Sequence, residues 1–246
     1  MEASVSAKLV SDFVTAIRPI DTEYELIRVG SPADGGYLIP NDLEGVKWLF
    51  SPGVSDNWSF EAALLEKGLV AFLCDGSITH TPTYDARLTF TRKNLGVTNC
   101  KSSMTLKSWL ESSIGEANGD GILQMDIEGA EYECLLSTPS FILRRFRIIV
   151  IEFHALDLIA SKLGYLLISR TFEHLAADFR IVHIHPNNCR KPVRVSGVEI
   201  HPVIEVTLLR QDRIFAHSPS YRERHPLDAD NVPSRPSVKL ASSWHH

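Results

Sequence analysis

The segment VKWLFSPGVS at residues 46–55 decides the fold class, because an apolar strand runs directly into a proline–glycine turn. A helical pattern at residues 57–67 follows, and Gly68 ends it. A second apolar strand occupies residues 69–74. A strand, a helix and another strand in this order predict two parallel strands joined by a crossover helix.

The same alternation continues along the chain. It predicts further strands at residues 86–92, 121–125, 146–153, 180–185 and 203–209, and helices at residues 104–112, 130–136, 155–167 and 171–179. We therefore expect an α/β fold: a three-layer, doubly wound sheet of about seven mostly parallel strands. The last strand is expected to be antiparallel, at an edge of the sheet.

Three regions are expected in the 246 residues. Residues 1–40 are predicted to add an N-terminal helix, at 4–18, and a turn-rich hairpin, at 26–40. Residues 41–217 form the α/β domain. Residues 218–246 are rich in proline and serine, and this composition predicts a loosely ordered tail.

Composition limits the function classes. Hydrophobic residues make up 44% of the chain and charged residues 22%, as is typical of a globular protein. The net charge of −5 weakly disfavours a nucleic-acid partner. The four cysteines form no CxxC pair, which disfavours a disulfide framework or zinc site. No targeting signal or membrane span is visible, so we expect a cytoplasmic protein. The oligomeric state is not determined by the sequence.

The loops after the first two strands suggest a nucleoside site, because parallel sheets bind ligands beyond the carboxyl ends of their strands. Gly53 lies in the first such loop, and Asp75 lies 22 positions further on, after the second strand. An acidic residue at this spacing can accept both hydroxyls of a ribose. The alternative is that Asp75 caps the following helix.

Polar residues follow the later strands. Five of them are the candidate chemical groups of the sheet edge: Asp126, Glu128, Glu152, His154 and His185. Glu152 and His154 share one face of their strand, since they are two residues apart. The five residues suit either a divalent metal such as Mg²⁺ or Mn²⁺ or a metal-free acid/base set with His154 as the base. A purely structural cluster is the third alternative. Glu131 and Glu133 are expected on a solvated helix face.

One stretch resembles a known family. The sequence DIEGAEY at residues 126–132, with IEFH at 151–154, is similar to the "K-x-D-I-E-G-x-E" signature of FkbM-type methyltransferases. DGGY at 34–37, the stretch 53–61 and HIHPNN at 183–188 are also similar to a branch of that family. The resemblance implies a class I, Rossmann-like methyltransferase fold. It also implies S-adenosylmethionine as cofactor and O-methylation of a small-molecule or sugar hydroxyl, an activity of EC class 2.1.1.

Site residues follow from the loops and the resemblance together. The expected catalytic residues are His154, Asp126 and Glu128. The expected cofactor-binding residues are Gly36, Tyr37, Ser51, Gly53, Ser55, Glu61, Asp75 and Gly76. The candidate metal ligands are Asp126, Glu152, His154 and His185. Two other functions stay open: a nicotinamide-dependent oxidoreductase, and a non-catalytic nucleoside-binding module on the same fold.

Overall fold

The structure is a computed structural model that describes residues 5–55, 57–79 and 85–245. Its α-helices are α1 (Ala7–Ala16), α2 (Ser59–Glu66), α3 (Leu106–Ile114), α4 (Glu131–Ser137), α5 (Ser140–Leu143) and α6 (Lys162–Ala176). Its strands are β1 (Ile20–Thr22), β2 (Leu26–Gly30), β3 (Gly36–Pro40), β4 (Val46–Pro52), β5 (Val70–Cys74), β6 (Leu88–Thr91), β7 (Asn94–Leu95), β8 (Ser103–Met104), β9 (Asp120–Met125), β10 (Phe146–Phe153), β11 (Phe179–Pro186), β12 (Val193–Val195), β13 (Val198–Ile200), β14 (Ile204–Arg210) and β15 (His217–Pro219). Short 3₁₀ helices span Leu156–Ala160, Gln211–Arg213 and Ser242–Trp244. Residues 4 and 246, which the predicted N-terminal helix and tail include, lie outside the described residues.

A seven-stranded sheet in the order β11-β14-β10-β9-β4-β5-β6 forms the centre of the fold. All of its strands are parallel except β14, which pairs antiparallel with both β10 and β11. The expected seven-stranded α/β sheet with an antiparallel last strand is therefore confirmed. Its position is different from the prediction, because β14 lies between β10 and β11 and not at an edge.

Both faces of the sheet are buried, but they are covered differently. Neighbouring residues of β4 point to opposite faces, so Phe50 joins one apolar cluster and Leu49 joins the other. The Phe50 cluster contains residues of α1, α3, α4, α5 and α6. The Leu49 cluster contains α2 and the β2–β3 hairpin. The hairpin thus takes the place of helices on the second face.

The region after β10 differs in detail from the two predicted helices at 155–167 and 171–179. A 3₁₀ helix at Leu156–Ala160 precedes one continuous helix, α6. Ser161 separates the two, because its hydroxyl accepts the Gly164 N–H at 3.0 Å and so caps the start of α6. Phe179, which was predicted in the second helix, begins β11.

The C-terminal segment is packed against the sheet, in contrast to the loosely ordered tail that its composition predicts. β15 pairs with β1. Asp228 accepts a hydrogen bond from His183 Nε2 at 2.8 Å, and Asn231 donates to Glu205 at 2.6 Å. Trp244 is fully buried. Buried polar side chains at the end of the sheet need partners, and this segment supplies them.

Two further expectations concern the whole chain. No helix in the part of the chain that the structure describes is long and apolar enough to cross a membrane. All four cysteines are free thiols.

Candidate functional site

Two adjoining cavities lie beyond the carboxyl ends of β4, β5 and β9, where open parallel sheets bind their ligands. The larger has a volume of about 450 Å³ and extends towards β7. The smaller, of about 150 Å³, extends towards the β2–β3 hairpin and α2. The two cavities share Gly53, Ser55, Asp126 and Glu128 as lining residues. They therefore form one cleft with the turn after β4 at its centre.

Gly53 is required by the geometry of this turn. Its φ is +86°, and a Cβ atom at this position would lie 1.6 Å from the carbonyl oxygen of Asp126. Its N–H donates to the carbonyl of Cys74 at 2.9 Å. The loops after β4 and β9 consequently touch through their backbones, and a side chain larger than hydrogen would force them apart.

Asp75 lies at the end of β5, is buried and lines the larger cavity. One carboxylate oxygen accepts the Ser55 N–H at 3.1 Å, and the other accepts the Ser77 N–H at 2.7 Å and hydroxyl at 2.6 Å. Burial opposes ionisation, but the hydrogen bonds from Ser77 lower the pKa of Asp75. No helix begins within residues 75–79, so Asp75 closes a turn there and does not cap a helix.

Asn94 also lines the larger cavity and was not predicted from the sequence. Its side-chain oxygen accepts the Gly76 N–H at 3.0 Å. It belongs to β7, a strand of two residues with no hydrophobic pattern. Gly76 therefore lies behind Asn94 and is not among the lining residues that the structure describes.

A buried hydrogen-bonded chain lies beneath the smaller cavity. The Ser51 hydroxyl lies 2.5 Å from Glu61 Oε1 and 2.7 Å from Gln124 Oε1, and Gln124 Nε2 donates to the Tyr37 hydroxyl at 3.2 Å. Burial raises the pKa of Glu61 to about 7. The second oxygen of Glu61, Oε2, is buried and has no hydrogen-bond partner. Glu61 and Tyr37 also line the cavity.

Four carboxylates surround His154, which follows β10. Nδ1 lies 3.1 Å from Glu131 Oε1. Nε2 lies 3.5 Å from a Glu128 oxygen, 3.8 Å from a Glu152 oxygen and 3.9 Å from an Asp126 oxygen. Burial alone would lower the pKa of His154, but the hydrogen bond to Glu131 and the nearby charges raise it to about 9. Burial raises the pKa of Asp126 to about 7 against the attraction of His154.

Glu131 corrects the expectation of a solvated helix face, because it is fully buried. Its Oε1 accepts the N–H groups of Ile127 and Gly129, both at 3.1 Å. Glu133, the other residue of that expectation, is exposed. The sequence places Glu131 in the first turn of a helix, where acidic residues are usually exposed. Its side chain is buried because it binds the N–H groups of the loop before α4.

The four candidate metal ligands are not all brought together. His185 is buried beside Asp228, with 3.4 Å between Nδ1 and a carboxylate oxygen. Within the described residues, the group with ligand atoms within 4.8 Å of one another is Asp126, Glu131 and His154. Two of these three are already paired, since Glu131 Oε1 holds two backbone N–H groups and His154 Nδ1. The donor set therefore fits a divalent metal poorly.

The other predicted site residues divide into two groups. Those that line the cleft are Tyr37, Gly53, Ser55, Glu61, Asp75, Asp126 and Glu128. Gly36, Ser51 and Gly76 lie behind this lining, and His154 and Glu152 stand next to Asp126. A third cavity, of about 370 Å³, lies between β1 and the C-terminal segment and contains none of the predicted residues.

Comparison with protein families identifies the central part of the chain. Residues 64–177 match the model of the methyltransferase FkbM domain. Over these residues the chain is similar to FkbM-type methyltransferases. The FkbM match includes Asp75, the loop at 126–131 and His154, which are the acidic side of the cleft and its histidine. Gly53, the hairpin and the C-terminal segment lie outside it.

Two solved structures are partly similar to this chain. The fibrillarin–Nop5p complex is 12% identical, covers 68% of this chain and 73% of that one, and has a TM-score of 0.39. A 16S rRNA (adenine(1408)-N(1))-methyltransferase from Catenulisporales acidiphilia is 11% identical, covers 76% of this chain and 98% of that one, and has a TM-score of 0.36. Similarities at this level carry no information on the acceptor. A search of curated protein sequences finds no match.

Proposed function

We propose that this FkbM-type protein transfers a methyl group from S-adenosylmethionine to a hydroxyl of a small molecule or sugar. One observation carries the proposal: all charged residues among the described lining of the cleft are acidic. The charged residues along it are Asp34, Glu61, Asp75, Asp126 and Glu128. Carboxylates favour a cationic ligand, and S-adenosylmethionine carries a positive sulfonium.

The two cavities fit the two ends of this cofactor. In the larger cavity Asp75 can accept ribose hydroxyls, and the apolar side chains of Leu95, Ile127 and Ala130 suit a base. In the smaller cavity the unpartnered Oε2 of Glu61 suits an amino group. The sulfonium would then belong in the shared region beside Asp126.

The same charges oppose the alternative nicotinamide function. A dinucleotide carries two phosphates, and these need backbone N–H groups or cations. Among the described lining residues of the cleft there is no Lys or Arg to neutralise them. The acidic lining and the net charge of −5 also support an acceptor that is not a nucleic acid. The free cysteines support a reducing, cytoplasmic location.

The protein's part in the reaction is to align the two substrates and to take up a proton. S-adenosylmethionine supplies a methyl group on a sulfur that leaves as a neutral thioether. The acceptor hydroxyl loses its proton as its oxygen bonds the methyl carbon, and a nearby base must receive that proton. We assign this role to Nε2 of His154 and the carboxylate of Asp126, which lie 3.9 Å apart beside the cleft.

Calorimetric titration of the full chain tests cofactor choice. We expect S-adenosylmethionine and S-adenosylhomocysteine to bind, and NADH to show no binding at the same concentration. The proposal would be overturned if S-adenosylmethionine did not bind at about 1 mM. Such a result would mean a binding free energy smaller in magnitude than about 4 kcal/mol.

A labelling experiment separates an enzyme from a non-catalytic module. Methyl-labelled S-adenosylmethionine is incubated with the protein and a small-metabolite extract, and products are separated by charge. Label in a neutral, base-stable ether is expected. Binding without any labelled product would favour the non-catalytic nucleoside-binding module.

A further inference from the structure

Glu131 is a buried charge with two kinds of contact. It begins α4, and its side chain is fully buried. Oε1 accepts the N–H groups of Ile127 and Gly129 and so closes the loop that follows β9. The same oxygen lies 3.1 Å from Nδ1 of His154. A carboxylate has no proton to donate, so the Nδ1–H of the imidazole is the donor.

The contact to Glu131 sets the direction of the imidazole ring. With Nδ1 held by Glu131, Nε2 is the nitrogen that faces Asp126, Glu128 and Glu152. The backbone of His154 is held as well, because the Tyr132 hydroxyl donates to its carbonyl at 2.9 Å. Ring rotation would break the bond to Glu131, so the ring has one orientation.

Closing the loop does not by itself require a charge at position 131. A neutral amide oxygen can accept backbone N–H groups equally well, and a buried carboxylate without a cation is costly. Glu131 Oε2 has no partner at all, which adds to this cost. Among the contacts of Glu131, the group able to carry a compensating positive charge is His154.

We infer that Glu131 is a positioning residue for His154: it keeps the proton on Nδ1 and presents Nε2 to Asp126 at the edge of the cleft. This inference rests on the proposed function for its catalytic meaning. When Nε2 takes the proton of the acceptor hydroxyl, the O–H bond breaks, an N–H bond forms, and Glu131 faces the resulting imidazolium. The pairing has the same logic as a catalytic histidine oriented by an acid.

Substitution of Glu131→Gln tests the inference, with Glu133→Gln, on the exposed side of the same helix, as the matched control. The ring of His154 is titrated by NMR in the full-length, cofactor-free protein, and its signal is assigned from a His154→Ala sample. In Glu131→Gln the titration midpoint is expected to fall by at least about one pH unit, since a charge-assisted hydrogen bond is lost. The control should leave it unchanged.

A second measurement keeps the test valid if Glu131→Gln does not fold. Ring ¹⁵N shifts of the wild type above the midpoint show which nitrogen keeps its proton, and Nδ1 is expected. A proton on Nε2, or an unshifted midpoint in Glu131→Gln, would overturn the positioning role. Because both experiments use cofactor-free protein, their failure is separate from a failure of S-adenosylmethionine to bind, which would overturn the proposed function itself.

Discussion

Glu152 and Glu205 lie directly opposite each other across the antiparallel strands β10 and β14, and both are buried. Each accepts a hydrogen bond from an amide, Glu152 from Asn187 at 2.7 Å and Glu205 from Asn231 at 2.6 Å. Burial raises the pKa of each residue, and for Glu152 the charges of Asp126 and Glu205 raise it further. The sheet therefore holds two facing acids that resist ionisation.

Glu205→Gln is expected to stabilise the protein at neutral pH. The pKa of Glu205 in the folded protein lies above the unfolded value of about 4.3. Such an acid lowers the free energy of unfolding as the pH rises from the unfolded pKa to the folded pKa. Glutamine keeps an oxygen for the Asn231 amide and removes that loss. The free energy of unfolding should rise by about 1 kcal/mol at pH 8, with no gain below about pH 4.

Chemical denaturation at several pH values measures this effect. Glu116→Gln, at an exposed glutamate, is the control and should change stability little at any pH. Destabilisation by Glu205→Gln at pH 8 would show that the Glu205 charge is favourable, for instance through His185.

Most of the central sheet could be predicted because its strands are buried on both faces and form continuous apolar runs. β10 at Phe146–Phe153 coincides with the predicted strand, and β4, β5, β9 and β14 differ from their predictions by one or two residues at either end. The position of β14 could not be predicted in this way. A hydrophobic run indicates that a strand is buried. The pairing of β14 with β10 and β11 depends on contacts between residues that are distant in sequence.

The candidate site was predicted where chain order alone determines position. Gly53, Asp75 and Asp126 each follow a parallel strand, and such loops meet at one edge of the sheet. Glu131 was missed because its burial depends on the curl of a loop. The position of His185 beside Asp228 could not be predicted either, because Asp228 lies 43 positions away in the chain, in the C-terminal segment.

Asp75→Ala is expected to weaken binding of S-adenosylmethionine by about 10- to 100-fold. It removes a charged acceptor for the ribose, a contact worth about 1.5–3 kcal/mol. Ser77→Ala is the control, because it removes one donor to Asp75 and keeps the carboxylate. Calorimetry measures the affinity, and melting curves check that both variants fold. Equal affinity of Asp75→Ala and wild type would limit Asp75 to closing its turn.

Removal of divalent metal is expected to leave methyl transfer unchanged within about twofold. The reason is that a protonated His154 already supplies positive charge to the carboxylates that would hold the metal. Activity is compared before and after EDTA treatment, and Mn²⁺ is titrated into the protein by calorimetry. Loss of activity with EDTA and its return with Mg²⁺ or Mn²⁺ would instead establish a metal-assisted reaction.

Binding of S-adenosylmethionine is expected to release more protons than binding of S-adenosylhomocysteine. A sulfonium beside Asp126 and His154 disfavours their protonated forms and so lowers both pKa values, which start at about 7 and about 9. The neutral thioether has no such effect. Titrations at pH 7.5 in buffers of different ionisation enthalpy count the protons. Equal release for the two ligands would mean that the sulfonium lies away from this pair.

His154→Ala is expected to lower kcat by roughly 10²- to 10⁴-fold, the usual contribution of a general base. Affinity for S-adenosylmethionine should change by at most about tenfold, which is the equivalent of one pKa unit of coupling between His154 and the sulfonium. In the wild type kcat should increase with pH, since the imidazole must lose its proton before it can act as a base. The variant should lack this increase. Asp157→Ala, which truncates an acidic side chain three residues after His154, is the control and should keep the increase of kcat with pH. If His154→Ala instead melts well below wild type and loses cofactor binding in parallel, the histidine is structural, and Asp126 becomes the proton acceptor.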